Sequence, residues 1–364
     1  GYFFTVIVIT QKLSGYSEST IGIVASSFSL GLVAAGFFVS KILAKIGLYK
    51  MLLLSASIQT VSVLAMFIYF NPINLALCHL IMGIMGGMNW MTMDTWVNIV
   101  SNDKNRGKAI GLYNSSISIG FAVGPLIVAL FGSQGLIPII LCLLLMIIRM
   151  PALYVMKSHI NNVKIPEQIN KINFSLVKIA PFIFIAIFIG GINDSSFGAL
   201  FPAFMINEQF TDRSIGFYFF VGAIGGVLSQ PFVGSLADKV NKRKFLFSLL
   251  ICHIIWPLLL FNFISIPLII ILSVIVWGFA SVSIYTVALA YLGERVSIKE
   301  ISIATSVFII IYEGGEFFGP IIVGLSMNQF GNPGFIYSIL FITIISLILG
   351  IIRTIFKNNE NKNY

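Results

Sequence analysis

The sequence predicts an all-α polytopic membrane protein with twelve transmembrane helices, arranged as two six-helix repeats that run in the same direction. Three observations predict it. The chain has 364 residues, 58% hydrophobic and only 10% charged, against roughly 25% charged residues in a soluble domain. Its apolar runs are about 20 residues or longer, enough to cross ~30 Å of hydrocarbon as helices. The third observation is a recurrence: Gly120-xxx-Gly124-Pro125 answers to Gly315-xxx-Gly319-Pro320 at an offset of 195, and Gly83 answers to Gly278 at the same spacing. Nearer the start, Thr20-Ile21-Gly22 answers to Ser214-Ile215-Gly216 at an offset of 194. One register held over most of so apolar a chain marks parallel repeats built around a central site. Period-two alternation is absent, which excludes an outer-membrane barrel.

Apolar runs between polar or Gly/Pro breaks give the elements in order. The first six spans are 1–13, 18–40, 47–70, 73–100, 105–131 and 135–157. The second six are 174–207, 211–236, 245–263, 266–294, 300–329 and 333–356. Residues 1–15 align with 195–209, so the first helix is expected to be truncated at its N-terminus, with the counterpart of 175–194 preceding Gly1. Asn71-Pro72 and Gly132-Ser133-Gln134 are connections short enough to force antiparallel neighbours. His159 to Asn173 is polar, rich in Asn and Lys, and carries Pro166, as expected of an inter-domain linker. The expected organisation is therefore a bundle over 1–157, a linker over 158–173, a second bundle over 174–357 and a tail over 358–364.

Net charge is +9, but its distribution argues against a nucleic-acid partner. Counting loops in alternation, all of the 22 Lys and Arg except Lys12 and Arg213 fall on one side, near 41–50, 104–108, 149–178, 239–244, 295–299 and 353–362. This is the positive-inside pattern, and it puts those loops and the C-terminus in the cytoplasm of a cell whose plasma or inner membrane holds the chain. No Arg or Lys is expected at a span centre. Cys78, Cys142 and Cys252 lie in apolar segments with no pairing or ligand spacing, so they read as small core residues and no metal site is expected. No phosphate-binding loop of the G-x-x-x-x-G-K-[ST] type is present, which argues against ATP as the driver. Nor do two central His residues, His79 and His253, make a hydrolytic or metal constellation, so no catalytic residues are assigned and an enzyme is not expected.

After the eighth span the chain reads Gly234-Ser235-Leu236-Ala237-Asp238-Lys239-Val240-Asn241-Lys242-Arg243-Lys244. Gly234 allows close helix approach, Asp238 can cap or pair near a helix end, and the basic cluster suits anionic lipid. This order resembles the loop signature G-x-L-A-D-[RK]-x-G-[RK]-[RK] of the major facilitator superfamily, with Asn241 in place of the second Gly. The equivalent first-half loop, Ser40 to Lys50, carries Ala44 at the carboxylate position. The resemblance implies the twelve-helix fold, secondary transport and a gating role for Gly234, Asp238, Lys239 and Arg243, asymmetric between the halves. The stretches ending Gly124-Pro125 and Gly319-Pro320 partly resemble that superfamily's fifth-helix antiporter signature, although Val128-Ala129 stands where it has Gly-Gly. A packing seam of small residues accounts for them as well, and efflux is not inferred from them. The run from Gly83 through Asp94 to Asn105-Arg106-Gly107, with Ser214-Ile215-Gly216, is similar to the YcaD-like bacterial branch.

A charge near the bilayer centre costs about 2.5–3.5 kcal/mol on insertion scales and so marks a protein- or water-facing position. Four acids qualify: Asp94, Asp194, Glu313 and Glu316. Trp90, Asp94 and Asn98 recur at i, i+4 and i+8 on one helix face. Asn193-Asp194 follows Gly190-Gly191, where the chain could unwind. The resemblance implies that the first, fourth, seventh and tenth helices line the cavity, with Trp277, Ser281 and Tyr285 available on the tenth. Glu313 and Glu316, three apart, repel if both ionise, which makes the pair a candidate proton site. His79 sits where the superfamily usually has Arg, and either couples protons or is a polar helix residue satisfied by a neighbour. Glu208 and Asp212 fall in an outer loop and are expected to be solvated. The expected function is proton-coupled secondary transport of a small cationic or zwitterionic solute by a monomer in contact with lipid, with the ion gradient in place of a cofactor. A multidrug or metabolite efflux antiporter and a non-transporting receptor are the alternatives.

Overall fold

The computed structural model describes residues 1–100, 106–161, 174–297 and 300–360. The chain runs through α1 (Tyr2–Leu13), α2 (Glu18–Ile46), α3 (Leu48–Ile68), α4 (Pro72–Val100), α5 (Arg106–Phe131), α6 (Leu136–Ile147) and α7 (Arg149–Asn161). After a short 3-10 turn over Phe174–Lys178 come α8 (Pro181–Asn207), α9 (Asp212–Lys239), α10 (Lys242–Phe263), α11 (Pro267–Gly293), α12 (Ile301–Phe330) and α13 (Gly334–Glu360). Among the described residues there is no strand. Ten spans are long and apolar enough to cross a membrane, α6 and α7 together forming one of them, and α1 and the 115–131 part of α5 are shorter apolar helices. The twelve spans are thus in place, at bounds close to those read from the apolar runs. Most of the linker (162–173), the end of the tail (361–364) and Asn105 lie outside the described residues.

The repeat is visible in how helices begin. Ser17 caps α2 by accepting the Thr20 amide at 3.3 Å, and Thr211 caps α9 by accepting the Ser214 amide at 3.3 Å. Each cap is followed by an acid, Glu18 or Asp212, which suits the positive end of the helix dipole. At the loop signature, Asn241 caps α10 by accepting the Lys244 amide at 3.1 Å. Its first-half counterpart Gly47 sits at φ +80°, a backbone that suits glycine, and precedes α3. A cap therefore explains why this chain can carry Asn where the signature has Gly.

Glycines also set the crossings within each half. A Cβ on Gly83 of α4 would overlap the Phe28 carbonyl of α2, and one on Gly278 of α11 would overlap the Gly222 carbonyl of α9. Without a hydrophobic drive between helices in lipid, such close backbone contact is what holds neighbours together. The core has three clusters: the largest spans both halves, from Ile21, Met66 and Met82 to Phe197, Trp256 and Phe335, and one smaller cluster lies within each half, around Met51 and Leu52 in the first and around Leu249 and Phe308 in the second.

Two expectations are corrected here. Gly190-Gly191 does not unwind: α8 is continuous from Pro181 to Asn207. Small residues serve close packing there, because a Cβ on Gly191 would overlap the Tyr312 carbonyl of α12. And a cation does lie within a span: Arg149, counted with the basic loops, sits at the break between α6 and α7, inside the span Leu136–Ser158. It donates Nη1 to Gln59 Oε1 at 2.7 Å, Nη2 to the Ala56 carbonyl at 3.3 Å and Nε to the Met146 carbonyl at 3.3 Å. Sequence reading missed it because a basic residue flanking a polar linker is normally a loop residue. Arg149→Met should lower the apparent melting temperature in detergent by several degrees. The stranded amide and carbonyls cost about 1–3 kcal/mol; an unchanged melting temperature would show that the guanidinium supports nothing.

Candidate functional site

The halves meet along two seams, and the two seams are copies of each other. On one, a Cβ on Gly22 of α2 would overlap the Pro320 carbonyl of α12. On the other, a Cβ on Gly216 of α9 would stand 2.8 Å from the Pro125 carbonyl and 2.6 Å from the Ala129 amide of α5. Each Ile-Gly repeat therefore docks on the Gly-Pro repeat of the opposite half. Polar contacts reinforce this end. Asp212 accepts the Ser133 amide at 2.7 Å and its hydroxyl at 2.9 Å. Asn328 donates to Ser19 Oγ at 2.7 Å. Glu18 pairs with Lys12 and accepts from Asn207 at 2.9 Å, and Asn332 donates to Glu208 at 2.6 Å. Glu208 is exposed, as expected, and its partner Asn332 belongs to the same half, whereas Asp212 is corrected from a solvated loop acid to part of a clamp between the halves. By connectivity this end is opposite the Lys- and Arg-rich loops.

Midway along the helices lies a group of acids and tyrosines. The Tyr312 hydroxyl of α12 donates to Asp194 Oδ2 of α8 at 2.7 Å. That contact depends on the glycines: Gly315 lies against the Phe188 carbonyl, and Gly319 against the Ile192 carbonyl and the Ser195 hydroxyl, which presses α12 onto α8 at this level. Glu313 and Glu316 stand three residues apart on α12, both only partly exposed. Two carboxylates at that spacing repel when both ionise, which favours a proton on one of them. Tyr285 of α11 packs edge-on against Phe308 and Tyr312, with ring centroids 5.2 and 5.3 Å away. It lies in electrostatic range of Glu313 and Glu316 and, across the halves, of Asp94 on α4. Asp94 is itself hydrogen-bonded to Tyr113 of α5.

The structure thus gathers Asp194, Glu313, Glu316 and Tyr285, and sets Asp94 opposite. Trp90, one turn from Asp94, is 47% exposed; the Asn98 side chain lies outside the described residues. Other expected site residues are placed elsewhere. The His79 ring is buried between Phe3 and Phe4, at centroid distances of 5.9 and 6.2 Å, with Nδ1 2.8 Å from the Leu75 carbonyl of its own helix. Trp277 is buried and stacks on Phe197 at 3.6 Å, so the α11 stripe starts in the aromatic core and comes up to the acids through Ser281, beside Asp194, and Tyr285. Asn193 is fully buried and donates to the Ile189 carbonyl at 3.0 Å. Gly120 meets nothing, whereas Gly124 lies against the Tyr2 amide and repeats in α1–α5 the packing of Gly315 and Gly319 in α8–α12. Of the loop signature, Asp238 and Lys239 are exposed in the last turn of α9, and Gly234 has open space around it. Tyr113 and Tyr312 were missed by sequence reading. Tyr113 precedes Asn114-Ser115-Ser116 and Tyr312 precedes Glu313, and only the fold shows that each faces an acid on a neighbouring helix.

A family model described as Major Facilitator Superfamily matches this chain twice, over residues 1–182 and 183–363. The chain belongs to the major facilitator superfamily. The two matches cover one half of the chain each, meeting near the start of α8. Among curated proteins it is 23% identical over 362 residues to the MFS-type transporter YfkF of Bacillus subtilis, spanning 96% of this chain and 91% of that protein. The MFS-type transporter YcaD of Escherichia coli is 22% identical over 331 residues, spanning 90% and 83%. Among solved structures, a single-substitution variant of the nucleoside transporter NupG superposes with a TM-score of 0.78 at 15% identity, covering 96% of this chain and 94% of that one. A D-xylose-proton symporter gives 0.70 at 14% identity, covering 96% and 93%. These likenesses establish the superfamily's fold for a multi-pass membrane protein.

Proposed function

We propose that this protein is a proton-coupled secondary transporter that moves a small cationic or zwitterionic solute by alternating access, and that the conformation described here faces the cytoplasm. The observation that carries the reading is the acid–tyrosine group formed by Asp194, Tyr312, Glu313, Glu316 and Tyr285 on the second half, with Asp94 opposite on the first. Acids at mid-span in a low-dielectric interior attract positive charge strongly. Glu313 and Glu316 repel when both ionise, so a proton held by one of them leaves when a solute cation takes up the carboxylates; the two occupants compete and their fluxes are linked. Aromatic rings beside such acids favour cationic groups through their π faces. The inward-facing assignment rests on two supports: the clamp closes the end away from the basic loops, and those loops are cytoplasmic by the positive-inside rule. Competition between proton and cation also favours the second reading, an efflux antiporter of the same fold.

Purified protein in proteoliposomes, with a pH-sensitive dye inside, tests this directly. Amines and zwitterionic metabolites, each added outside, should move protons, and nucleosides and pentoses should not. Proton movement only with the neutral solutes would overturn the substrate class, and solute uptake indifferent to the pH gradient would overturn the coupling.

A further inference from the structure

At the Lys- and Arg-rich end of the second half, three helix ends converge on a notch of about 50 Å³, lined by Pro181, Phe182, Arg243, Tyr291 and Arg295. The arginines are held by aromatic rings. The Arg243 guanidinium carbon lies 5.8 Å over the Phe182 ring, and that of Arg295 lies 4.9 Å over the Tyr291 ring. Arg295 also donates Nη2 to the Tyr291 hydroxyl at 2.8 Å, one of its five donors. The third contributor is the start of α8, where Ala180 supplies no side-chain cap and Pro181 opens the helix. That end carries the positive pole of a 27-residue helix. The neighbouring acid Glu294 is paired with Lys242 at 2.6 Å. Repeat packing does not require the arginines: in the register that pairs Asn241 with Gly47, their first-half counterparts are Tyr49 and Ser101.

Guanidinium groups present a planar fork that matches phosphate oxygens, and here two of them meet a helix N-terminus in a space too small for a nucleotide. We propose that this notch binds one phosphate group, supplied by the headgroup of an anionic phospholipid. The lipid source follows from position. The apolar spans α8 and α10 begin at Pro181 and Lys242, and α11 ends at Gly293, so the notch sits where the hydrocarbon gives way to headgroups. A bound headgroup would tie together the ends of α8 and α11, the helices that carry Asp194 and Tyr285.

The test is native mass spectrometry of the full chain in detergent, with phosphatidylglycerol or phosphatidylcholine added at equal concentration. The parent protein should retain one phosphatidylglycerol in preference to phosphatidylcholine. Arg295→Ala, at an exposed position, should reduce that retention at least fivefold, and Arg295→Lys should restore it in part. Lys239→Ala, at the same end but outside the notch, should leave it unchanged. Equal retention by the parent and a monodisperse Arg295→Ala variant would overturn the proposal. Inorganic phosphate at tens of millimolar separates the sources. Stabilisation by phosphate, lost in Arg295→Ala, without retention of phosphatidylglycerol would overturn the lipid source and assign a free anion.

Discussion

Gly22→Val, and more so Gly22→Val combined with Gly216→Val, is expected to open the clamped end of the bundle. A Cβ at Gly22 would overlap the Pro320 carbonyl, and one at Gly216 would crowd the Pro125 carbonyl and the Ala129 amide. Both obstacles are backbone of a neighbouring helix and cannot rotate away. Overpacking of this kind costs roughly 1–3 kcal/mol, and because only the closed state carries the contact, the closed population should fall by about 5- to 150-fold. A disulfide reports it. Asn328 Nδ2 lies 2.7 Å from Ser19 Oγ across the seam, so cysteines placed there by Ser19→Cys and Asn328→Cys should cross-link readily in the parent and slowly in the valine variants. Cross-linking at the parent rate would show that the Gly-Pro seam does not hold the ends together.

Asp194→Asn is expected to abolish proton-driven accumulation while leaving equilibrative exchange of solute measurable. The amide is nearly isosteric, so α8 and α12 keep their crossing, which the glycines at 191, 315 and 319 set. What it loses is the negative charge that the Tyr312 hydroxyl meets at 2.7 Å. Hydrogen bonds to charged groups contribute about 1.5–3 kcal/mol, so Tyr312→Phe should weaken coupling by roughly tenfold or more without matching the loss from Asp194→Asn. Flux in proteoliposomes with and without an imposed pH gradient separates the two quantities. Undiminished accumulation by a well-folded Asp194→Asn protein would remove this carboxylate from the coupling step and leave Glu313 and Glu316 to carry it.

Most of the fold was readable from the residues because membrane insertion leaves few options: an apolar run of this length must be a helix, and the repeat register aligns the two halves. The same register anticipated which glycines meet, since Gly83 and Gly278 make the same contact in their own halves. Side-chain partners were less legible. Asp194 and Glu316 could be listed as unexpected charges, but Tyr312 could not be assigned to them, because pairing depends on the depth at which α12 crosses α8. Asp212 illustrates the opposite failure. A carboxylate after a helix cap reads as solvated, and its bond to Ser133 depends on how α9 of one half meets the loop after α5 of the other. Arg149 was hidden by its neighbours, since a basic residue just ahead of a polar linker looks like loop until the break at Ile148 places it among carbonyls.

The two seams bear on ancestry as well as on gating. In a two-fold dimer of identical chains, a contact from residue i to residue j is always accompanied by one from j to i. The pairs Gly22 with Pro320 and Gly216 with Pro125 keep that reciprocity within one polypeptide, as would be left by two copies of a six-helix unit joined end to end. The acids do not keep it: Glu313 and Glu316 have Ser118 and Phe121 as their first-half counterparts. Closure therefore uses matching contacts from both halves, whereas the Glu313–Glu316 pair has no counterpart in the first half. Cargo can then change through substitutions on α8, α11 and α12 while the contacts that shut the clamped end are left untouched.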